Sequence, residues 1–406
     1  MRRVLLIGLA LLPVMAMAQG FQVNLHGQKQ VGMGNTGTGI VQDGASILFN
    51  PGAVAMLPEN YIQGGISPLV FQSAFQSTGS SQYFNNKNEI ATPFTFYAAW
   101  GPKASFWKIG LGVYTPFGGL TNWGNTWDGK YALESLNLKA IYFQPTLSVK
   151  LADFLSIGGG FVYDYGSVDL QRGLPVSSDA AIDIKGHGHG YGWNAGIYIK
   201  TEVGMTVGIT HRSNANTSIN NGDVTYSGTI PASIKATQFP DGTKFNAAID
   251  LPSTTSVGFG FYPTNKWTIG VDLNYVRWRS YKSLDFNFSQ SVGGSTFSSS
   301  ARNYKDAYDF RGGAEYKATQ AFALRFGGGY ATTSVRDGYV TPEAPDANRV
   351  YGTVGLGYTL AKKLDIDFAF EYEHLMNRTQ TNIESGLSGT FKTDVWIPGI
   401  SLAYHW

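Results

Sequence analysis

Three groups of residues have the types and spacing to do chemistry. Gly32, Gly34 and Gly37 satisfy G-x-G-x-x-G, the fingerprint of a loop that cradles a dinucleotide pyrophosphate. That loop works only after a strand, before a helix and with an acidic residue about 20 positions on. Here a polar stretch precedes it and no βαβ unit follows, which argues against nucleotide binding. His187 and His189 are two apart on an expected strand and so share a face. The glycine-rich run 186–192 offers no third ligand, so a polar lumen-facing or interfacial pair is expected and no metal site.

Serine, histidine and aspartate all occur, but no G-x-S-x-G elbow surrounds a serine. The third group is charged: Asp272, Arg325, Asp365, Asp367, Glu371 and Glu373. Their positions suit a hydrogen-bonded network inside a lumen better than a catalytic set. No catalytic residue and no cofactor is expected, and with cysteine absent, disulfide frameworks and Cys-ligated metals are excluded.

Something must position these groups, and composition points to a barrel. Charged residues are 14 % of the 406, aromatics equally frequent, and there are 51 glycines. A soluble α/β enzyme carries about a quarter charged residues. The net charge of +2 gives no reason to expect nucleic acid. Arg2 and Arg3, the apolar run Val4 to Val14 and Ala16-Met17-Ala18 form an n-region, an h-region and an A-x-A cleavage signal. That run falls short of the roughly 20 residues a spanning helix needs, so residues 1–18 are expected to be a cleaved leader. No other stretch reaches that length; a mature chain that spans a membrane does so with strands.

Strand patterning is strong. Leu364, Ile366, Phe368, Phe370 and Tyr372 alternate with Asp365, Asp367, Ala369, Glu371 and Glu373, and the two sets must face opposite sides. Trp267–Tyr275, Phe322–Tyr330 and Ile400–Trp406 repeat the pattern, with Tyr and Trp near strand ends as in the aromatic girdles of membrane barrels. Fourteen strands are expected, beginning near Tyr61, Thr92, Phe106, Ser135, Leu155, Asp183, Met205, Lys244, Trp267, Tyr304, Gln320, Arg349, Leu364 and Leu387. Alternate connections are tight, such as Ala152 to Phe154 and Lys362 to Lys363. The others are long and polar: Phe71 to Ala91, Gly118 to Glu134, Gln171 to Ile182, Gly228 to Thr243, Ser289 to Asn303, Thr333 to Asn348 and His374 to Gly386. This is the signature of an all-β, transmembrane antiparallel β-barrel over residues 61–406. Residues 19–60 then need a container: Gly32 to Leu57 is too glycine-rich for a strand and too apolar for a solvated tail, and is expected to plug the barrel.

At this point the chain resembles the FadL/TodX family of outer-membrane transporters for long-chain fatty acids and other hydrophobic compounds. The residues that carry the resemblance are Gly20-Phe21-Gln22-Val23-Asn24, Gly32-Met33-Gly34, Asp43-Gly44-Ala45-Ser46 and Asn50-Pro51-Gly52-Ala53, where the family has Asn-Pro-Ala. Leu136-Asn137-Leu138, Leu251-Pro252-Ser253, Trp278 to Leu284, Tyr304 to Tyr308 and Pro345 to Arg349 add to it in the family order. The resemblance implies a monomer in outer-membrane lipid, a moving hatch shaped by Gly32, Gly34, Asp43, Asn50 and Pro51, and passive uptake with lateral exit at a kinked strand. Burying a methylene is worth about 0.8 kcal/mol, so releasing a sixteen-carbon tail into water costs on the order of 10 kcal/mol, and exit into lipid largely avoids this.

By the same resemblance Phe21 either touches ligand or packs the plug. Pro116, Gly118 and Gly119 either interrupt a ladder as the lateral gate or end a strand. Leu120, Trp123, Trp127 and Leu133 either line a capture groove or pack their loop, and Arg172 and Lys305 either meet a carboxylate head group or are lumen or loop charges. Aromatic hydrocarbons are the second candidate cargo. From other classes, an outer-membrane lipid hydrolase and a loop-based adhesin are the alternatives.

Overall fold

A computed structural model describes residues 20–406. The leader and its cleavage signal lie outside the described residues. The chain closes into a fourteen-stranded antiparallel barrel. Strand β1 comprises Tyr61–Ile66 and Leu69–Ser77, and β2 comprises Tyr83–Asn85, Ile90–Ala91 and Phe94–Trp100. Then follow β3 (Trp107–Asn122), β4 (Ser135–Ala152), β5 (Leu155–Gly173) and β6 (Ala181–Lys200). The next four are each in two pieces: β7 (Met205–Arg212, Ala215–Ser227), β8 (Lys244–Leu251, Thr254–Thr264), β9 (Trp267–Val276, Ser283–Val292) and β10 (Ser295–Ala301, Ala307–Lys317). Finally come β11 (Phe322–Ala331), β12 (Arg349–Leu360), β13 (Leu364–Thr381) and β14 (Ser388–His405). Pairing of Tyr61 with His405 through Ile66 with Ile400 closes the circle and removes the sheet edges, which lipid penalises. Among the described residues no helix is long and apolar enough to cross a membrane.

Burial is inverted relative to a soluble sheet. On β13 Phe368 is 50 % exposed while Glu371 is fully buried, because the outer face meets lipid and the inner face meets the plug. The alternation read from the sequence therefore has its apolar set outside. Most strand starts fall close to expectation, but five expected loops are partly sheet, among them the two that β3 enters as far as Asn122 and β13 as far as Thr381. Leu69–Ser77 and Tyr83–Asn85 extend the first hairpin into Phe71 to Ala91. Ser289 to Asn303 is mostly a hairpin turning at Gly293 and Gly294, both at positive φ. The link between β5 and β6 shrinks to residues 174–180. Above the lipid a strand has no apolar face to display, so alternation fades while the ladder continues.

Residues 21–57 fill the lumen and are nearly all buried. They form α1 (Gln28–Gly32), α2 (Ser46–Phe49) and a 3₁₀ turn, Pro51–Met56. Their polar backbone is satisfied largely by the wall. Gly37 and Thr38 amides donate to Asp272 Oδ2 at 2.8 and 2.9 Å, so the glycine loop that resembles a phosphate cradle holds a carboxylate of β9. Gly34, at φ +65°, has its would-be Cβ 2.5 Å from the Gly312 carbonyl and the Gly328 amide, leaving room for no side chain.

Candidate functional site

The charged lumen residues singled out in the sequence are paired. Arg325 donates to Glu315 at 2.7 Å and to Asp367 at 2.6 Å. Lys29 of the plug reaches Asp365 at 2.6 Å, Asn35 reaches Glu371 at 2.8 Å, and Arg349 reaches Glu373 at 2.7 Å. Burial opposes the charge on Lys29, but Asp367, Asp43 and Asp365 together hold it well above the ordinary lysine range. Lys29 and Asn35 fasten plug to wall, while Arg325 and Arg349 tie wall strands to one another.

Asp43 accepts from Gln30 at 3.0 Å, from the Ala45 amide at 3.0 Å and from Gln63 of β1 at 3.2 Å. Asn50 donates to the carbonyls of Thr38 and Ile197, both at 3.0 Å, and accepts from the Gly52 amide at 3.0 Å, capping the turn that Pro51 opens. Gly52 follows Pro51 in that turn. A Cβ there would lie 2.6 Å from the Gly196 carbonyl of β6. The Gly52 carbonyl in turn accepts from Ser148 at 3.1 Å and Ser156 at 2.6 Å.

The wall is different along β3. Its ladder with β2 runs from Trp100–Ile109 to Thr95–Tyr114 and stops. Its ladder with β4 continues past a bulge between Tyr114 and Phe117 to Asn122. Pro116 therefore sits inside the strand, and Gly118, Gly119 and Leu120 belong to β3, not to the outer loop expected from Gly118 onward. The released edge is taken up by the N-terminal segment: Val23 donates to the Pro116 carbonyl at 2.9 Å and Gly118 donates to the Phe21 carbonyl at 3.0 Å.

Two volumes meet at this segment. An inner cavity of about 120 Å³ is lined by Phe21, Leu69, Phe71, Leu120, Leu375, Val395 and Ile397, with Asp346, Arg349 and Glu373 at one side. An outer one of about 410 Å³ lies in the gap between β2 and β3, against Ile90, Phe94, Phe117, Leu138 and Ile141. Val23, Leu69, Gly118, Gly119 and Leu120 border both. Over them Trp278 packs edge-on to Phe117 at 6.0 Å and beside Tyr304 at 5.6 Å, where β9 and β10 break and fold inward.

Of the expected site residues, Phe21, Leu120, Gly118 and Gly119 come together here. Trp123 and Trp127 stack on each other at 4.8 Å, with indole donors on Pro342 and Leu133 carbonyls. Leu133 is fully buried beneath them, so these three pack the loop and do not line either cavity. Arg172 on β5 and Lys305 before the second piece of β10 also lie outside both linings; burial and nearby Arg378 lower the Lys305 ammonium. His187 and His189 face outward beside Tyr165 and Tyr163. The lining residues not singled out beforehand carried a signal: Leu69-Val70-Phe71 and Val395-Trp396-Ile397 are apolar at consecutive positions, so both faces of the wall are apolar there.

A family model described as outer membrane protein transport protein (OMPP1/FadL/TodX) matches residues 9–406. A long-chain fatty acid transport protein of Salmonella typhi is 22 % identical, with 91 % of each chain covered. Among solved structures, a Pseudomonas aeruginosa FadL homologue superimposes with a TM-score of 0.84 at 18 % identity, covering 95 % of this chain and 99 % of that one. The P. putida toluene transporter TodX gives 0.74 at 14 % identity, covering 97 % and 99 %.

Proposed function

The chain belongs to the OMPP1/FadL/TodX family of outer membrane transport proteins, and from that premise we propose that it admits long-chain fatty acids through the inner cavity and releases them sideways into lipid between β2 and β3. The observation that carries this is the shared border of the two volumes at Val23, Leu69 and Gly118 to Leu120, beside a ladder that stops at Thr95–Tyr114. An apolar chain too long for the inner cavity finds its continuation there, and its methylenes move from protein to lipid with little contact with water. Phe21 and Leu120 are the contacts assigned to the chain, and Pro116, Gly118 and Gly119 the gate. The plug built on Gly32, Gly34, Asp43, Asn50 and Pro51 is the hatch. The inner cavity by itself has the size that holds one aromatic ring, as apolar cavities of about 150 Å³ hold benzene. Monoaromatic hydrocarbons are therefore the second cargo.

The test is a reversible tether. The natural chain has no cysteine, so cysteines at Thr92 and Thr115, which both border the outer volume, can be joined by a bis-methanethiosulfonate. Uptake of a labelled fatty acid into proteoliposomes should fall about tenfold or more and return on reduction. Undiminished uptake in the tethered barrel sinks the lateral route.

A further inference from the structure

Resting on that transport reading, we propose that the small polar cavity behind the N-terminal segment is a carboxylate site, in which Arg212 receives the head group of an acidic amphiphile whose tail lies in the inner cavity. This cavity, about 40 Å³, is bordered by Arg212, Arg311, His26, Asn274, Gln22 and Asn24 among others. It is large enough for a carboxylate or a water or two.

The basic groups near the ligand path differ in how they are compensated. Arg349 borders the inner cavity but is paired with Glu373, and Asp346 stands beside it. Arg302 is paired with Glu343. Arg311 is paired with Asp309 at 2.5 Å and also holds the Asn35 carbonyl at 2.9 Å. Arg212, on β7, makes no ion pair among the described residues. Its Nη2 donates to the Leu48 carbonyl at 3.1 Å and its guanidinium lies 5.4 Å from the Tyr114 ring centre. Its Nε is buried and has no protein partner, and the same holds for Asn274 Nδ2. Asn274 has already used its oxygen to accept from Ser256 at 2.5 Å. Unpaired buried donors around an uncompensated guanidinium are the complement of an anion, since each orphan costs stability until it is met. Two arginines so close also explain why His26, deep in the plug, is held below the ordinary histidine range, burial being the larger cause.

Gln22 and Asn24 border both this cavity and the inner one. The partition between an apolar chamber and an uncompensated cation is thus made of amide side chains on the segment that pairs with β3. A ligand with its tail among Phe21, Leu120 and Leu375 can turn its head past Gln22 to Arg212. A neutral hydrocarbon has no use for the second chamber, so the site separates the two cargo classes.

The test compares binding of a sixteen-carbon acid, the matched alcohol and butyrate to the intact purified barrel. Arg212→Gln should weaken the acid about ten- to hundredfold and leave the alcohol within about twofold. Arg212→Lys should restore most of the acid affinity. Should Arg212→Gln fail to fold, judged by gel mobility of the unheated barrel, Asn274→Ala should weaken the acid selectively by about three- to tenfold. Equal losses for acid and alcohol would mean a structural role, and an unchanged acid affinity would remove the site. Butyrate binding as tightly as the long acid would make it a free-anion site and overturn the head-group assignment. If the natural barrel binds neither long chain, the transport reading itself fails, an outcome separate from all of these.

Discussion

The plug meets its container in two different ways. Toward β9 to β13 it is fastened by charge: Lys29 on Asp365, Asn35 on Glu371 and on Arg311, and the Gly37 and Thr38 amides on Asp272. Toward the upper half of β3 the N-terminal segment is joined by backbone alone, through Phe21 and Val23 to Gly118 and Pro116. Buried charge pairs are costly to separate because each partner would be left in a poor solvent. Two backbone bonds can be exchanged for bonds to water or to a returning strand. A route that must open and close belongs on the second side, and the apolar volumes are found there.

The largest effect should come from breaking the charged side. Arg325→Met leaves Glu315 and Asp367 facing each other without their shared cation. It is expected to cost about 3–5 kcal/mol of unfolding free energy, read from denaturant titration in lipid or detergent. The plug should loosen as well, admitting small polar solutes that the natural barrel excludes. A cost below about 1 kcal/mol would show that the wall on this side is not held together by charge, and the contrast with β3 would rest on Lys29 and Asn35 alone.

A smaller effect is expected where plug and wall touch by shape. Gly52→Ala drives a methyl to 2.6 Å from the Gly196 carbonyl, backbone that has no rotamer to relax. The turn after Asn50 must lift off β5 and β6, at an expected cost of about 1–3 kcal/mol. Because Gly52 borders neither ligand volume, fatty acid affinity should hold while plug stability falls. A neutral substitution would mean that the turn is already free of the wall.

Much of this arrangement was legible in the chain. Alternation such as Asp365-Ile366-Asp367-Phe368 fixed strand faces, because in lipid the apolar side has only one place to go. The paired lumen charges were legible for the same reason: Arg325, Asp367 and Glu371 all fall on the inward set. What escaped was set by long-range register. Pro116, Gly118 and Gly119 mark a place where a ladder is interrupted or a strand ends; that Pro116 lies inside β3, with its carbonyl on Val23, depends on where the β2 ladder stops. Arg172 and Lys305 are head-group candidates by residue type, whereas Arg212, which makes no ion pair among the described residues, shows this only once the surrounding carboxylates have been placed. Trp123 and Trp127 suit either a groove or a packed loop by composition; in the structure they stack on each other and line neither of the two volumes.

The smallest expected effect concerns pH, and it probes the soft side from within. His26 is buried between Phe49 and Tyr114, edge-on to both rings, and its carbonyl holds the Tyr97 hydroxyl at 2.9 Å. Burial and then Arg212 and Arg311 depress its folded pKa, while in the unfolded chain it titrates near its ordinary value of about 6.5. The unfolded state therefore binds more protons below that pH. The stability His26 contributes is present above about pH 6.5 and is lost as pH falls toward the depressed value, at up to about 1.4 kcal/mol per pH unit. His26→Asn should remove that slope between pH 6.5 and 5, measured as the difference between two denaturant series. If acid weakens both proteins alike, the loss resides in carboxylates of the charged side, and the softer side is not the first to yield.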